Sequence, residues 1–334
     1  MANWTPQDSV VLGSERNDQM KKIILDVDTG SDDAVAIMLA ALHADIDLLA
    51  CTTVWGNLDI ELTTANTLRV LDHVGHHGVP VYRGSAGPFA PIAHHPRPGT
   101  DRSRGKIHAE KLSIPDSTRR HETAPAVEWL VDFLRNTTER VTLVPVGPLS
   151  NIASALAADL NIIDAVEEVV IMGGGHAIGN VTPSAEANIW HDPVAADVVF
   201  QAGFERLTIM PLDATHQAYV SLSQAEELES TGRPAAKAAA SFIRDRIAGY
   251  TETQPMDTQA TAPVHDALCI AYLVDPTVVE LVHCHAAVEV VGSLTYGRTV
   301  FDLRGRGLDA PNAHVAMHAD AAKFFGFLMD TLGT

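Results

Sequence analysis

Cysteine, positive charge and long apolar runs are all scarce in this chain. The three cysteines, Cys51, Cys269 and Cys284, each sit in an apolar run, and no Cys-x-x-Cys spacing occurs. They read as buried free thiols in a reducing compartment. Lysine and arginine total 23 against 42 aspartates and glutamates, for a formal net charge of −19. That balance argues against a general basic surface for a nucleic-acid polymer or an anionic membrane. It leaves room for a small neutral ligand, or for a cation held by carboxylates. No apolar run reaches the roughly 20 residues that a membrane span needs. The N-terminal stretch "MANWTPQDSVVLGSERNDQMKK" lacks the continuous apolar core of a signal peptide. Cytoplasm is therefore the expected location. Repeats, low-complexity tracts and domain-splitting linkers are also missing, so a single domain is expected over 21–334, with 1–20 as a flexible extension.

What is present is apolar and patterned. Hydrophobic residues make up 46% of the 334 positions, and the mean hydropathy is +0.06. This is enough to bury a large core and too much for a disordered chain. Short apolar runs predict strands over 22–27, 47–57, 79–84, 140–147, 166–175 and 206–215, with two or three more between 277 and 302. Helical periodicity predicts helices over 32–43, with Ser31 as N-cap, and over 59–74, 123–136, 149–158 and 193–202. Further helices are expected near 221–230 and 235–249, and over 265–274 and 319–332. Long loops are expected over 85–121 and 251–262. The pairs His76-His77 and His94-His95, flanked by glycine and proline, read as loop residues. Strand–helix alternation of this kind implies an α/β fold, an open, mostly parallel, Rossmann-like sheet with helices on both faces.

Ligands of such sheets bind beyond the carboxyl ends of the strands. Here those ends are polar or glycine-rich: Asp26 and Asp28, Asn57, Val146-Gly147, Gly173 to Gly175, and Asp213. The stretch "LDVDTGSDDAVAI" places four aspartates, Asp26, Asp28, Asp32 and Asp33, within eight positions. With Asp213 they are expected to line one carboxylate-rich pocket. A helix N-terminus stabilises an acid by only about 0.3–1 kcal/mol, too little to offset several carboxylates brought together. A bound divalent cation offsets it, and oxygen-only ligands select a hard one, Ca²⁺ or Mg²⁺. The same stretch, read as "IILDVDTG", also fits the start of a haloacid-dehalogenase-like phosphatase. That pattern needs a later Gly-Asp pair to complete its metal site, and this sequence has none.

Seven blocks in order narrow the reading: "DVDTGSDDAVAI", "WGN" (55–57), "VPVGPLSNIA" (144–153), "IMGGG" (171–175), "GNVTPSAEANIWHDPVAA" (179–196), "MPLDATH" (210–216) and "PVHDALCIAYLVDP" (263–276). Singly each is ordinary. Together they resemble the inosine-uridine-preferring nucleoside hydrolases over roughly 22–330. The resemblance implies a Ca²⁺-dependent ribohydrolase that frees the base from a ribonucleoside through an oxocarbenium-like centre. By the same resemblance, Asp28, Asp33 and Asp266 ligate Ca²⁺ by side chain, and Val146 does so by its carbonyl. Asp32, Asn57, Asn180, Glu186 and Asn188 hold the ribose, with Met172 against the sugar and Asp26 supporting the metal site. Asp28 is the base that takes a proton from water, and His265, titrating near neutrality, is the acid facing the leaving base. A homodimer or homotetramer is implied as well.

Two departures from the family pattern fall around the nucleobase. The usual "HGxxGL" stands here as "IHAEKLSI" (107–114), which keeps His108 but not the glycines. The aromatic common between Glu and Asn of the "AExN" block is Ala187. Tyr250 is available to stack on a base, and Arg246 or Gln254 to hydrogen-bond to one. His265 and the small Ala187 together lean toward uridine or a broad inosine–uridine preference. A nucleoside- or ribose-binding protein without turnover is the alternative from outside the enzymes, and it requires the loss of Asp28 or His265, both of which are present.

Overall fold

The computed structural model describes residues 20–90, 107–307 and 309–334. Positions 1–19 of the expected extension and the His94-His95 pair lie outside the described residues. The described residues form twelve strands: β1 (Lys21–Val27), β2 (Ile46–Thr53), β3 (Val81–Arg83), β4 (Val141–Pro145), β5 (Val166–Met172), β6 (Leu207–Met210), β7 (Tyr219–Ser221), β8 (Thr261–Pro263), β9 (Val279–Cys284), β10 (Ala286–Val288), β11 (Thr299–Phe301) and β12 (Ala313–Ala319). Eight of them form one sheet in the order β3-β2-β1-β4-β5-β6-β12-β9. Every neighbouring pair is parallel except β12 with β9.

The period-2 alternation of the buried strands divides the core between two faces. On β1, Ile23, Leu25 and Val27 pack into one cluster while Ile24 packs into the other. On β5, Val170 and Met172 go one way, Val169 and Ile171 the other. The first face is covered by α1 (Ser31–Leu42), α2 (Ile60–His73), α8 (Leu222–Ser230), α9 (Pro234–Thr253), α10 (Ala267–Val274) and α11 (Ala321–Leu332). The second is covered by α3 (Ala126–Asn136), α4 (Ser150–Ala158) and α6 (Pro193–Phe200). Two short helices, α5 (Ala187–His191) and α7 (Leu212–Thr215), lie in the connections at the carboxyl ends of the strands. Burial of α1 is nearly complete, from Ser31 to Ala41. Its alanines leave room for α9 and α10 to pack close against it.

The expected mostly parallel α/β sheet is present, with local corrections. Gly30, not Ser31, occupies the α1 N-cap, and the Asp33 carboxylate accepts the Gly30 N–H at 2.9 Å. Helix α9 runs on to Thr253, into the expected polar loop, and β8 follows it. Strand β6 ends at Met210, so Asp213 lies in α7 rather than at a strand end. The largest omission is β12, a sheet strand between β6 and β9 that the sequence pattern did not reveal. Its "AHVAMHA" run puts His314 on a half-buried position and His318 on an exposed one, which dilutes the apolar signal.

Candidate active site

The strand order reverses direction of growth between β1 and β4, the position where open α/β sheets form a ligand crevice. Asp28 follows β1 at this point, and Val146 follows β4. Three helices begin beside them. Asp32 and Asp33 occupy the first turn of α1, Glu186 is the N-cap of α5, and Asp266 is the N-cap of α10. Each of these acids therefore sits in the favourable field of a helix N-terminus.

One small cleft is lined by Asp32, Asn57, His108, Val146, Met172, Asn180, Glu186, Asn188, Tyr250, His265 and Asp266. These residues come from the whole length of the chain. Behind the lining stand Asp28 and Asp33, at 1% and 0% exposure. Carboxylate oxygens of Asp32, Asp33 and Asp266 lie within 4.8 Å of one another. Asp33 is bound by the backbone N–H of Asp28 at 3.1 Å and by Asn57 Nδ2 at 3.3 Å. Asp28 Oδ2 accepts the Asn57 N–H at 2.7 Å, and its Oδ1 is buried with no hydrogen-bond partner among the described residues. Burial, then the Asp33 charge, pushes the Asp28 carboxyl well above the usual range. Asp33 rises to about 6 through burial and Asp32, and Asp266 rises well above its ordinary value for the same kinds of reason.

Asp213 is absent from this group. Its carboxylate instead accepts the backbone N–H groups of His176 and Ala177, at 2.6 and 3.0 Å, and so holds the loop after the glycines. Asp26 belongs to a layer below. Its Oδ1 accepts from Thr52 Oγ1 at 2.5 Å and Asn151 Nδ2 at 2.7 Å, and burial raises its carboxyl to about 7.

Opposite the acids, Glu186 accepts the N–H groups of Gly174 and Asn188, both at 2.9 Å, and burial lifts it to about 7. Asn188 Nδ2 donates to the carbonyls of Val146 at 2.8 Å and Met172 at 3.1 Å. The expected ligand carbonyl of Val146 is thus already part of the cleft's hydrogen-bond network. Asn180 Oδ1 is buried with no partner among the described residues.

At the other end, His265 bridges Tyr250 Oη, 2.5 Å from Nε2, and Thr215 Oγ1, 2.7 Å from Nδ1. Burial, then the nearby Arg246 charge, pushes the imidazole well below its ordinary value. Burial thus favours the neutral ring, in the direction opposite to that of a histidine poised near neutrality. Arg246 is 1% exposed; it donates to Asp32 Oδ1 at 2.7 Å and to the Pro263 carbonyl at 3.0 Å, and its guanidinium carbon lies 5.5 Å from the centre of the Tyr250 ring. His108 Nδ1 accepts the Ser31 N–H at 3.3 Å and lies 3.8 Å from Asp32 Oδ1.

Sequence reasoning had placed Arg246 only as a possible contact to a base, and had not singled out Thr215, Thr52 or Asn151. The first lies 214 positions from Asp32 and carries no local motif. The other three are common residue types whose roles depend on which element packs above them.

The donor set suits a hard cation. It is made of oxygens, it is buried, and it carries more carboxylate charge than the one guanidinium on Asp32 offsets. The unpartnered Asp28 Oδ1 is the kind of atom a metal ligand presents.

The model of the inosine-uridine preferring nucleoside hydrolase family matches residues 23–326. The pyrimidine-specific ribonucleoside hydrolase RihB of Escherichia coli K12 is 37% identical over 310 residues, covering 93% of this chain and 96% of that protein. A solved purine-preferring ribonucleoside hydrolase from Gardnerella vaginalis superposes with a TM-score of 0.84 at 32% identity, over 94% of this chain and 98% of that one. A plant nucleoside hydrolase superposes at 0.82 with 26% identity, over 94% and 99%. On the matched blocks, the shared fold and the assembled cleft, the chain belongs to the inosine-uridine preferring nucleoside hydrolase family, enzymes that act on the N-glycosyl bond of ribonucleosides.

Proposed function

We propose that this enzyme hydrolyses ribonucleosides to free base and ribose with Ca²⁺ as cofactor, and that it prefers uridine or accepts uridine and inosine broadly. The observation that carries the reading is the buried carboxylate group beside a cleft walled by Glu186, Asn180 and Asn188. Asp28, Asp33, Asp266 and the Val146 carbonyl would hold the metal. A bound cation would supply a water of lowered pKa and coordination positions for the sugar hydroxyls. Asp28 takes the proton of the attacking water, with its unpartnered Oδ1 facing no competing donor. Asp32, Asn57, Asn180, Glu186 and Asn188 hold the ribose, and their carboxylate and amide oxygens favour the positive charge that builds on the sugar. Met172 packs against the ring. His265, hydrogen-bonded to Tyr250, is the acid that takes a proton from solvent and gives it to the leaving base, and His108 borders the base.

The pyrimidine-specific relative and the small Ala187 support the uridine preference, and the neighbour described as purine-preferring makes the ratio worth measuring. Three buried free thiols fit a reducing compartment and thus the cytoplasm. Exposed Val291, Leu294 and Val300, along the β10–β11 segment, fit burial in a homodimer or homotetramer. Residues 21–334 form the catalytic domain. Ribose release from uridine and inosine, with Ca²⁺ and with EDTA, tests the core of this. Release that the chelator abolishes is expected, with uridine at least equal to inosine. Binding of nucleoside without release would instead mark a binding protein, and release that is indifferent to EDTA would remove the metal.

A further inference from the structure

Outside the cleft lies a much larger groove that the roles above leave unused. The cleft itself has a cavity volume of only ≈ 50 Å³, whereas the groove has ≈ 1130 Å³. Small-molecule sites usually offer roughly 300–1,000 Å³, so a nucleoside does not fit in the cleft alone. Asn180 and Gln254 line both spaces, so the groove adjoins the cleft. His216 walls the groove where it departs from His265: the two imidazole centres are 5.5 Å apart, and the Tyr250 ring centre is 6.4 Å from His216. His216 directly follows Thr215, which holds His265, so α7 fixes both histidines together. Unlike His265, whose nitrogens are both engaged, His216 has its Nε2 buried with no hydrogen-bond partner among the described residues.

We infer that the nucleobase of the substrate extends past His265 into this groove, and that His216 is a specificity-determining residue that hydrogen-bonds the polar edge of the base. The inference rests on the hydrolase reading above. A buried imidazole nitrogen without a partner is an unmet polar group; it is closed off from the groove in this structure, and a turn of the ring toward the groove lets a ring nitrogen or carbonyl of a base meet it. The cleft then needs to enclose only the sugar and the bond to be broken. Either ring size is accommodated by the groove, so discrimination falls to the hydrogen bond and not to a steric wall. Bases carrying extra substituents are accommodated for the same reason.

The test compares wild type, His216→Ala and His216→Gln on uridine, inosine and p-nitrophenyl riboside. The nitrophenolate departs without protonation and presents no base-like hydrogen-bonding edge. His216→Ala is expected to lower kcat/KM for the nucleosides by roughly tenfold or more, the size of one lost hydrogen bond to a buried group. The loss should lie mainly in KM and be far smaller on the nitrophenyl riboside. His216→Gln, which keeps a donor and an acceptor, should recover part of it. An equal loss on all three substrates would mean that His216 only supports α7, and no loss on the nucleosides would take the base out of the groove. A wild type that cleaves the nitrophenyl riboside but neither nucleoside would also overturn the inference while leaving glycosidic hydrolysis intact. A wild type inactive on all three would sink the hydrolase reading itself.

Discussion

A carboxylate buried against other carboxylates needs a counter-charge, and Asp32 has one in Arg246. The pair is almost fully enclosed, with side chains 1% and 6% exposed. Removing one member of such a pair costs about 3–5 kcal/mol, because the other is left charged in a poor solvent. Arg246→Met is therefore expected to lower the melting temperature strongly in EDTA. If Asp32 adjoins a cation site, Ca²⁺ restores some of the missing positive charge, and the loss should shrink when Ca²⁺ is present. Thermal melts of wild type and variant under both conditions check this, and equal losses with and without Ca²⁺ would separate Asp32 from the metal. The identity of the acids was legible in the sequence because they are crowded into one loop. The Arg246 contact was not, since it forms only when α9 packs across α1.

Elements set the precision of the site. The N-termini of α1, α5 and α10 converge there, and α1 starts at a glycine for a steric reason. A Cβ on Gly30 would come within 2.0 Å of His108 Nδ1. Gly56, in the turn after β2, is under a similar constraint, since a Cβ there would lie 2.1 Å from Asp28 Oδ2. Gly56→Ala should leave the sheet standing but turn the Asp28 carboxylate away from its place. Displacing a group that orients metal ligands typically costs 10–100-fold in metal affinity. Titration with Ca²⁺, followed by melting temperature, should show a loss of about that size with an unchanged far-ultraviolet dichroism spectrum. An unchanged affinity would mean that Asp28 does not need this geometry to bind. The sequence showed "WGN" as a strand-end turn, and the parallel sheet that brings the strand ends to one edge followed from alternation, whereas the strand order that sets this turn beside Asp28 did not. What alternation did not show was β12. Its pattern is diluted by a half-buried and an exposed histidine, and only its pairing with β6 and β9 identifies it as a strand.

Across the whole molecule, the raised acids link stability to pH in a direction opposite to the usual one. Burial lifts Asp26 and Glu186 to about 7 and Asp33 to about 6, with Asp28 and Asp266 also raised. A carboxyl whose folded value exceeds its unfolded value binds more protons when folded. Between the unfolded value near 4 and the folded value of 6 to 7, stability falls as pH rises. The metal-free protein should therefore melt higher at pH 5.5 than at pH 8, by about 2 °C or less for each kcal/mol of linkage in a chain of 334 residues. Easing the net charge of −19 works in the same direction on acidification, so the site's share needs its own control. Asp28→Asn removes one strained acid and should flatten the difference while changing the net charge by a single unit. On the proposed Ca²⁺ site, calcium should reverse the trend, since its ligands must be ionised. A ligand at 100 times its Kd stabilises by about 2.7 kcal/mol, and that increment should be largest at pH 8 and shrink toward pH 5.5. Melting curves at both pH values, with Ca²⁺ and with EDTA, read all of these together. If the chelated protein is no more stable at pH 5.5 than at pH 8, the acids are not strained, and the argument that crowded carboxylates require a cation fails with them.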